Sequence, residues 1–285
     1  MNKFFGIISV LIVSISNTYA GSDIPDYYPS EYRNELLNGL YKNDSLKKVL
    51  FRILTGTHQK RMNAPDTLVS NCSVNDSCYK HTTLTYTQAR EYLFGKIHLK
   101  KDQQGHYVKD VYCEKNYRKR DGVGPMRIPN HNLINCEHTC PQSKFTSTFS
   151  RETQKSDLNH LYPTDNRANS IRGNHPFSEV YGESISRKCS NSYIGPAEEP
   201  VKFNGNISFE PPQEHKGNVA RALFYFSVRD KMKKSALQEA HLRNWHFADP
   251  VDQDEIRRNN IVQEAQGNRN PFIDMPELVN DISDF

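Results

Sequence analysis

The chain has 285 residues, long enough for one large domain or two small ones, and 37 Lys and Arg stand against 33 Asp and Glu for a formal charge of +4. That balance is too even for charge alone to argue nucleic-acid or membrane binding. Hydrophobic residues reach only 36% and mean hydropathy is -0.77, but 15 Tyr and 14 Phe can bury much area each, so a folded core with long polar loops is expected.

At the N-terminus Lys3 precedes the apolar run FFGIISVLIVSI, and NTYA then sets Thr18 and Ala20 three and one residues before a cut. This is the pattern of a secretory signal peptide, residues 1–20, cleaved after Ala20. The run is roughly a dozen residues, short of the ~20 that span a bilayer, and no other stretch is a membrane-span candidate. A secreted or periplasmic protein without a membrane contact is expected. Export also decides how to read Cys72, Cys78, Cys113, Cys136, Cys140 and Cys189: in an oxidising compartment they are mainly disulfides. Only Cys72 with Cys78 is favoured, because the polar segment SVNDS between them can close a local loop.

Next, SEYRNELLNGLYKNDSLKKVLFRILTGTH reads as two helices, the first marked by Leu36, Leu37 and Leu40, the second by Leu46, Val49, Leu50, Ile53 and Leu54 after Ser45 as N-cap. YTQAREYLF is a further short helix with Thr87 as cap. GHYVKDVYC alternates as a strand, RKRDGVGPMRIPNHN has the Gly and Pro density of a loop, and LINCEHTC is a strand stopped by Pro141. In HLYPTDNRANSIRGNHPF a Pro-Thr-Asp start signal opens a short helix holding Asn169 and ending at Gly173 and Pro176. Loops and short strands follow to Pro212. The last third is helical: KGNVARALFYFSVRDKMKKSALQEAHLRNW presents Val219, Leu223 and Phe226 on one face, and QDEIRRNNIVQEA closes at Gly267. With no repeat or clear linker, residues 21–285 are expected to form a single α+β domain.

The segment INCEHTC sets an acid and an imidazole between two sulfurs. Cys136 and Cys140 with His131 or His138 could imitate zinc ligands, but no CxxC or second ligand pair accompanies them. Glu137 and His138 could instead supply a metal ligand and a base. Adjacent strand residues point to opposite faces, so both serve one site only at a strand end, which Pro141 permits.

Four segments resemble the bacterial endonuclease I family of secreted or periplasmic nucleases: NCEHTCPQSKF, SDLNHLYPTDNRANSIRGNHPFSEV, GNVARALFYFSVRD and WHFADPVDQDEIRRNNIVQEAQGNRNPFID. The resemblance implies a ββα-metal, or His-Me finger, nuclease core with additional helices. It implies His138 as general base, Glu137 and Asn169 as ligands of a divalent ion, Mg2+ with Mn2+ or Ca2+ as alternatives, and Arg172 one helical turn beyond Asn169 as a catalytic contact to the phosphate. A hard cation wants carboxylate and amide oxygens, and a neutral imidazole can take a proton from water. The activity implied is endonucleolytic hydrolysis of DNA, with RNA also admissible, to 5′-phosphate products by a monomer. No sequence-reading motif is present, and a site addressed to the phosphodiester carries no base readout. His160 falls where a supporting role or plain packing would serve, and Asn268, Arg269 and Asn270 are read as loop hydrogen bonding. The family often has Trp where this chain has Cys140. A disulfide there would brace the catalytic strand in its place, and without such a brace the alternative is a weak or silent nucleic-acid-binding protein that retains the fold.

Overall fold

Leucines three and four apart build the first layer of the computed structural model, which describes residues 24–73, 77–198, 207–233 and 235–285; the expected signal segment lies outside the described residues. Helix α1 (Ser30–Leu37) is followed by α2 (Asn43–Thr55), which buries Leu46, Leu50, Ile53 and Leu54. Ser45 is not the cap. It sits in the first turn, where its hydroxyl accepts from the Lys42 backbone N–H at 3.0 Å. A three-stranded antiparallel sheet follows, with β1 (Thr57–Arg61) between β2 (Ala64–Val69) and β3 (Cys78–Tyr79). The Cys72–Cys78 disulfide closes the local loop before β3, as expected.

Helix α3 (Tyr86–Tyr92) starts two residues earlier than expected, because Thr85 rather than Thr87 is the cap and accepts the Gln88 N–H. The hairpins β4 (Lys100–Asp102), β5 (Gly105–Lys109) and β6 (Asn116–Arg118) make a second small sheet. Strand β7 (Ile134–His138) pairs antiparallel with β8 (Leu161–Asp165), with Glu137 opposite Tyr162 and Cys136 opposite Pro163. The short helix α4 (Arg151–Ser156) lies between them in sequence, and α5 (Asn166–Arg172) follows β8 directly. The residues read from sequence as the opening of a helix are therefore a strand. Pro163 is tolerated there because it gives up no donor the sheet needs, and its carbonyl still accepts from Val111 N at 2.9 Å.

Strand β10 (Cys189–Pro196) lies between β9 (Glu183–Ser186) and β11 (Ile207–Glu210). The long helical stretch after Pro212 divides in two, since α6 (Gln213–Arg229) ends before Lys231, which takes a left-handed φ of 56°, and α7 (Ala236–Ala248) restarts with Ser235 as cap. α8 (Gln253–Gln266) stops at Gly267, whose φ of 79° suits glycine, and α9 (Pro271–Asp274) completes the bundle. The fold is α+β, with helices packed around small antiparallel sheets. α6 is buried almost all round and carries the larger core cluster, whose members include Leu50, Phe209, Phe224 and Trp245; a second cluster joins Phe94, Val108, Cys136 and Leu161. The β7-β8-α5 unit sits between the two clusters, with Cys136 in one and Cys140 and Ala168 in the other. Among the described residues no helix is long and apolar enough to cross a membrane.

Candidate active site

Alternation along β7 sends Cys136 and His138 one way and Glu137 the other. Glu137 enters the interior with 1% of its surface exposed. Its Oε1 accepts from Tyr112 Oη at 2.9 Å and lies 3.3 Å from Arg172 Nε, close enough for an ion pair though not aligned as a hydrogen bond. Burial pushes the Glu137 carboxyl above its ordinary value, while Arg172, Tyr112 and the His138 backbone N–H pull it back towards the carboxylate. Oε2 has no side-chain donor among the described residues.

Arg172 is itself 2% exposed. Besides Glu137 it donates from Nη2 to Thr139 O at 2.9 Å and from Nη1 to Gly173 O at 2.9 Å and His138 O at 3.5 Å, and its guanidinium lies 4.5 Å from the Phe177 ring centroid. The sequence leads one to expect an arginine facing phosphate. The structure sets it beside the acid and ties it to the backbone carbonyls of His138, Thr139 and Gly173.

His138 is 9% exposed and packs against Tyr86, Phe145 and His160 at ring-centroid distances of 5.6, 6.4 and 5.4 Å. Its Nε2 is 3.1 Å from the Lys155 carbonyl oxygen at the last turn of α4. A carbonyl can only accept, so Nε2 carries the proton and Nδ1 the lone pair. Among the described residues Nδ1 has no hydrogen-bond partner, and it is not one of the fully enclosed polar atoms. Burial, with Lys155, Arg172 and Arg151 nearby, lowers the imidazole to about 4, so it is neutral at pH 7. His160 supports it: buried, it donates from Nε2 to Gln154 O at 2.9 Å and accepts at Nδ1 from Cys140 N at 3.4 Å.

Asn169 reaches the same strand from α5. Its Nδ2 donates to Cys136 O at 3.4 Å, which leaves Oδ1 as the end of the amide open to a ligand. The helix is fixed by Asp165, whose Oδ1 accepts from Arg167 N and Ala168 N at 3.0 Å each, while Lys115 Nζ and Tyr117 Oη hold Oδ2. Asp110 gathers the backbone N–H groups of Tyr112, Cys113, Lys115 and Asp165, and so locks the loop that presents Tyr112 to the start of α5. Deeper, Asp157 accepts from Tyr225 Oη and Gln266 Nε2 at 2.7 Å each, joining the turn before β8 to α6 and α8. Asn268 donates to Tyr225 Oη, Arg269 forks onto Asp274, and Asn270 caps α9, which is the structural hydrogen bonding expected of that run.

The cysteines depart from expectation. The second disulfide joins Cys113 to Cys189, while Cys136 and Cys140 stand as buried thiols. They do not bridge each other, and their side chains enter different core clusters. Burial pushes the Cys136 thiol up to about 12, where Tyr86 touches it, and Cys140 Sγ rests 3.0 Å from Met232 Sδ. Among the described residues one group has metal-ligand spacing, Cys113, Asp165 and Cys189, and its two sulfurs are consumed by the disulfide, so the zinc reading of Cys136 and Cys140 has no ligand set. Sequence reasoning missed Tyr112, the Lys155 carbonyl and Tyr86. None carries a local motif, since each is identified only by what it touches across the fold.

A model of the family described as Endonuclease I matches residues 71–277. Among curated proteins, an extracellular ribonuclease of Bacillus amyloliquefaciens is 38% identical over 144 residues, covering 44% of this chain and 46% of that protein. An extracellular deoxyribonuclease of Aeromonas hydrophila is 30% identical over 118 residues, 41% of this chain and 48% of that protein. Endonuclease-1 of Buchnera aphidicola subsp. Baizongia pistaciae is 27% identical over 119 residues, 42% and 46% respectively. The chain spans about half the length of the curated relatives it matches.

Proposed function

The chain belongs to the endonuclease I family, and from that membership and the geometry around β7 we propose that it is an exported, metal-dependent endonuclease hydrolysing phosphodiester bonds of DNA and RNA without base selection. The observation that carries this reading is the hydrogen bond from His138 Nε2 to Lys155 O, which leaves a neutral imidazole with its Nδ1 lone pair ready to take a proton. Ring nitrogens of His58, His98, His215, His241 and His246 also lack a partner but are fully enclosed, whereas Nδ1 of His138 is not enclosed and can be reached by a water.

The donor set fits a hard divalent ion. Glu137 offers a carboxylate whose Oε1 is steadied by Tyr112 and Arg172, and Asn169 offers an amide oxygen because its nitrogen is already engaged. Magnesium bound by these two oxygens would supply positive charge against the phosphate and the departing 3′ oxygen. The chain's own work is then separable. His138 Nδ1 accepts the proton of the attacking water as the new P–O bond forms and the P–O3′ bond breaks, leaving a 5′ phosphate and a 3′ oxyanion that takes a proton from solvent to become the 3′ hydroxyl. Arg172 and Tyr112 hold Glu137 as the ionised ligand, and Asp165 holds the helix that carries Asn169. Relatives named both ribonuclease and deoxyribonuclease support a site indifferent to the 2′-hydroxyl, and the Cys72–Cys78 and Cys113–Cys189 disulfides support export to an oxidising compartment.

The test is degradation of plasmid DNA and of RNA with magnesium, with chelator, and with His138→Ala. The expected result is metal-dependent cleavage of both, abolished by chelator and lowered about 10²–10⁴-fold in the folded variant, the usual share of a positioned base. Near-native cleavage by a folded, contaminant-free His138→Ala protein removes His138 from this role.

A further inference from the structure

The clefts around the site differ sharply in charge. A cleft of about 490 Å³ beside Tyr162 is lined by seven carboxylates, among them Asp249, Asp252 and Glu255, against four Lys and Arg. A polyanion is repelled there. A second cleft, of about 870 Å³, is lined by Thr139 and Arg172, next to His138 and Glu137 respectively, and among the described residues its lining includes Lys144 and Lys233 and no Asp or Glu. A third cleft of about 730 Å³ shares Met232 and Lys233 with it, so the two adjoin there. Lys47, Lys48, Arg52, Lys231 and Lys233 line this far cleft against Asp44 and Asp284.

Those far cations are held in place yet mostly uncommitted. Lys47 pairs with Asp44 at 3.1 Å and donates to Asp284 O at 2.9 Å. Lys48, Arg52, Lys231 and Lys233 form no ion pair among the described residues; Arg52 donates only to Tyr32 Oη, and Lys231 Nζ lies 4.6 Å from the Phe51 ring centroid. Lys48 and Arg52 are both exposed and lie four residues apart, hence on one face of α2, whose other face is fixed by buried Leu46, Leu50, Ile53 and Leu54. A row of cations on a packed helix is preorganised for a line of phosphates. α2 lies outside the matched residues 71–277.

We propose that the two basic clefts form one groove for the polynucleotide strand leading away from the scissile phosphate, and that α2 supplies its far wall through Lys48 and Arg52. This rests on the nuclease reading for the position of the scissile bond. The N-terminal helices are then part of the substrate interface rather than a cap on the core. A long substrate gains affinity from the groove, and one too short to leave the first cleft does not.

The experiment compares Lys48→Glu/Arg52→Glu with Lys101→Glu/Lys119→Glu, which makes the same charge change at exposed positions on and beside the β4–β6 sheet. Binding of a labelled single-stranded oligonucleotide is followed by anisotropy across a salt series in the His138→Ala background, and cleavage of the oligonucleotide and of a dinucleotide in the active one. The α2 pair is expected to bind the oligonucleotide about tenfold more weakly, with a slope of log K against log salt shallower by about 1.4 for two lost phosphate contacts on a single strand. Its dinucleotide cleavage stays at the parent level, and the control pair changes little in either assay. Lys48→Gln/Arg52→Gln, which removes charge without reversing it, falls between. Native affinity and slope in the α2 pair, or an equal loss in the control pair, overturns the groove. The two readings fail separately: groove-dependent binding by a protein that cleaves nothing sinks the catalysis, while vigorous cleavage indifferent to α2 sinks the groove.

Discussion

Arg172→Met separates the two roles open to this arginine. If Arg172 acts by touching phosphate, its loss raises KM and leaves the fold alone, as exposed substitutions usually do within about 0.5 kcal/mol. The geometry gives it a structural job: Arg172 and Glu137 are a buried pair, 2% and 1% exposed, and the guanidinium also holds the carbonyls of His138, Thr139 and Gly173. Removing one member of a buried pair leaves the other charge uncompensated, at a cost of about 3–5 kcal/mol. In a domain of this size each kcal/mol moves Tm by roughly 2–4 °C, so the metal-free variant should melt roughly 6–20 °C lower by circular dichroism. Glu137, already raised by burial, would rise further and bind metal less well at neutral pH. The double variant Glu137→Gln/Arg172→Met removes the stranded charge and should recover about 1–3 kcal/mol relative to additivity. A Tm within a degree of the parent, together with a raised KM, would refute the buried-pair account and restore Arg172 to the phosphate.

Asn169→Ala keeps the core intact and should shift the magnesium activation curve to higher concentration with little change in Tm; an unmoved curve rejects Asn169 as a ligand. Burial lowers His81 and His246 to about 4 and His215 to about 3, below the ordinary 6.5, so the unfolded chain takes up protons that the folded chain refuses. Stability from these groups is complete above about pH 6.5 and falls away towards pH 4, and a urea midpoint that rises on acidification from pH 7 to pH 5 contradicts this. Titration with a thiol reagent should find Cys136 and Cys140 inert in the native protein and both reactive in denaturant without reductant. No thiol in denaturant would return them to a disulfide.

The sequence was most legible where chemistry and chain order coincide. Glu137 and His138 are neighbours, Asn169 and Arg172 are one helical turn apart, and the apolar spacing of α2 and α6 is local. It was least legible where a contact spans the fold. β8 was hidden because Leu161, Tyr162 and Pro163 carry no alternation and a proline argues against a strand, while its pairing with β7 is fixed from the partner's side. The Cys113–Cys189 bridge closes a separation of 76 residues, for which spacing gives no preference over other pairings. The burial of Arg172 was hidden for a similar reason: a single arginine on a short helix looks solvated until Phe177 and Tyr112 are seen to enclose the same pair.

The opposed faces of a strand also explain why the site needs its neighbours. Glu137 and His138 diverge at the end of β7, the acid towards α6's core and the base towards α4. Each is held by something the strand cannot supply: Tyr112 and Arg172 for one, the Lys155 carbonyl and His160 for the other. α5 then approaches from the side, with Asn169 bonded to the Cys136 carbonyl just before Glu137. The side chains packed against the His138 ring are Tyr86, Phe145 and His160, so the Cys140 thiol is not part of that brace. Activity should accordingly be indifferent to mild thiol reagents in the native state, and sensitive to any change that frees the α4 carbonyl from the imidazole.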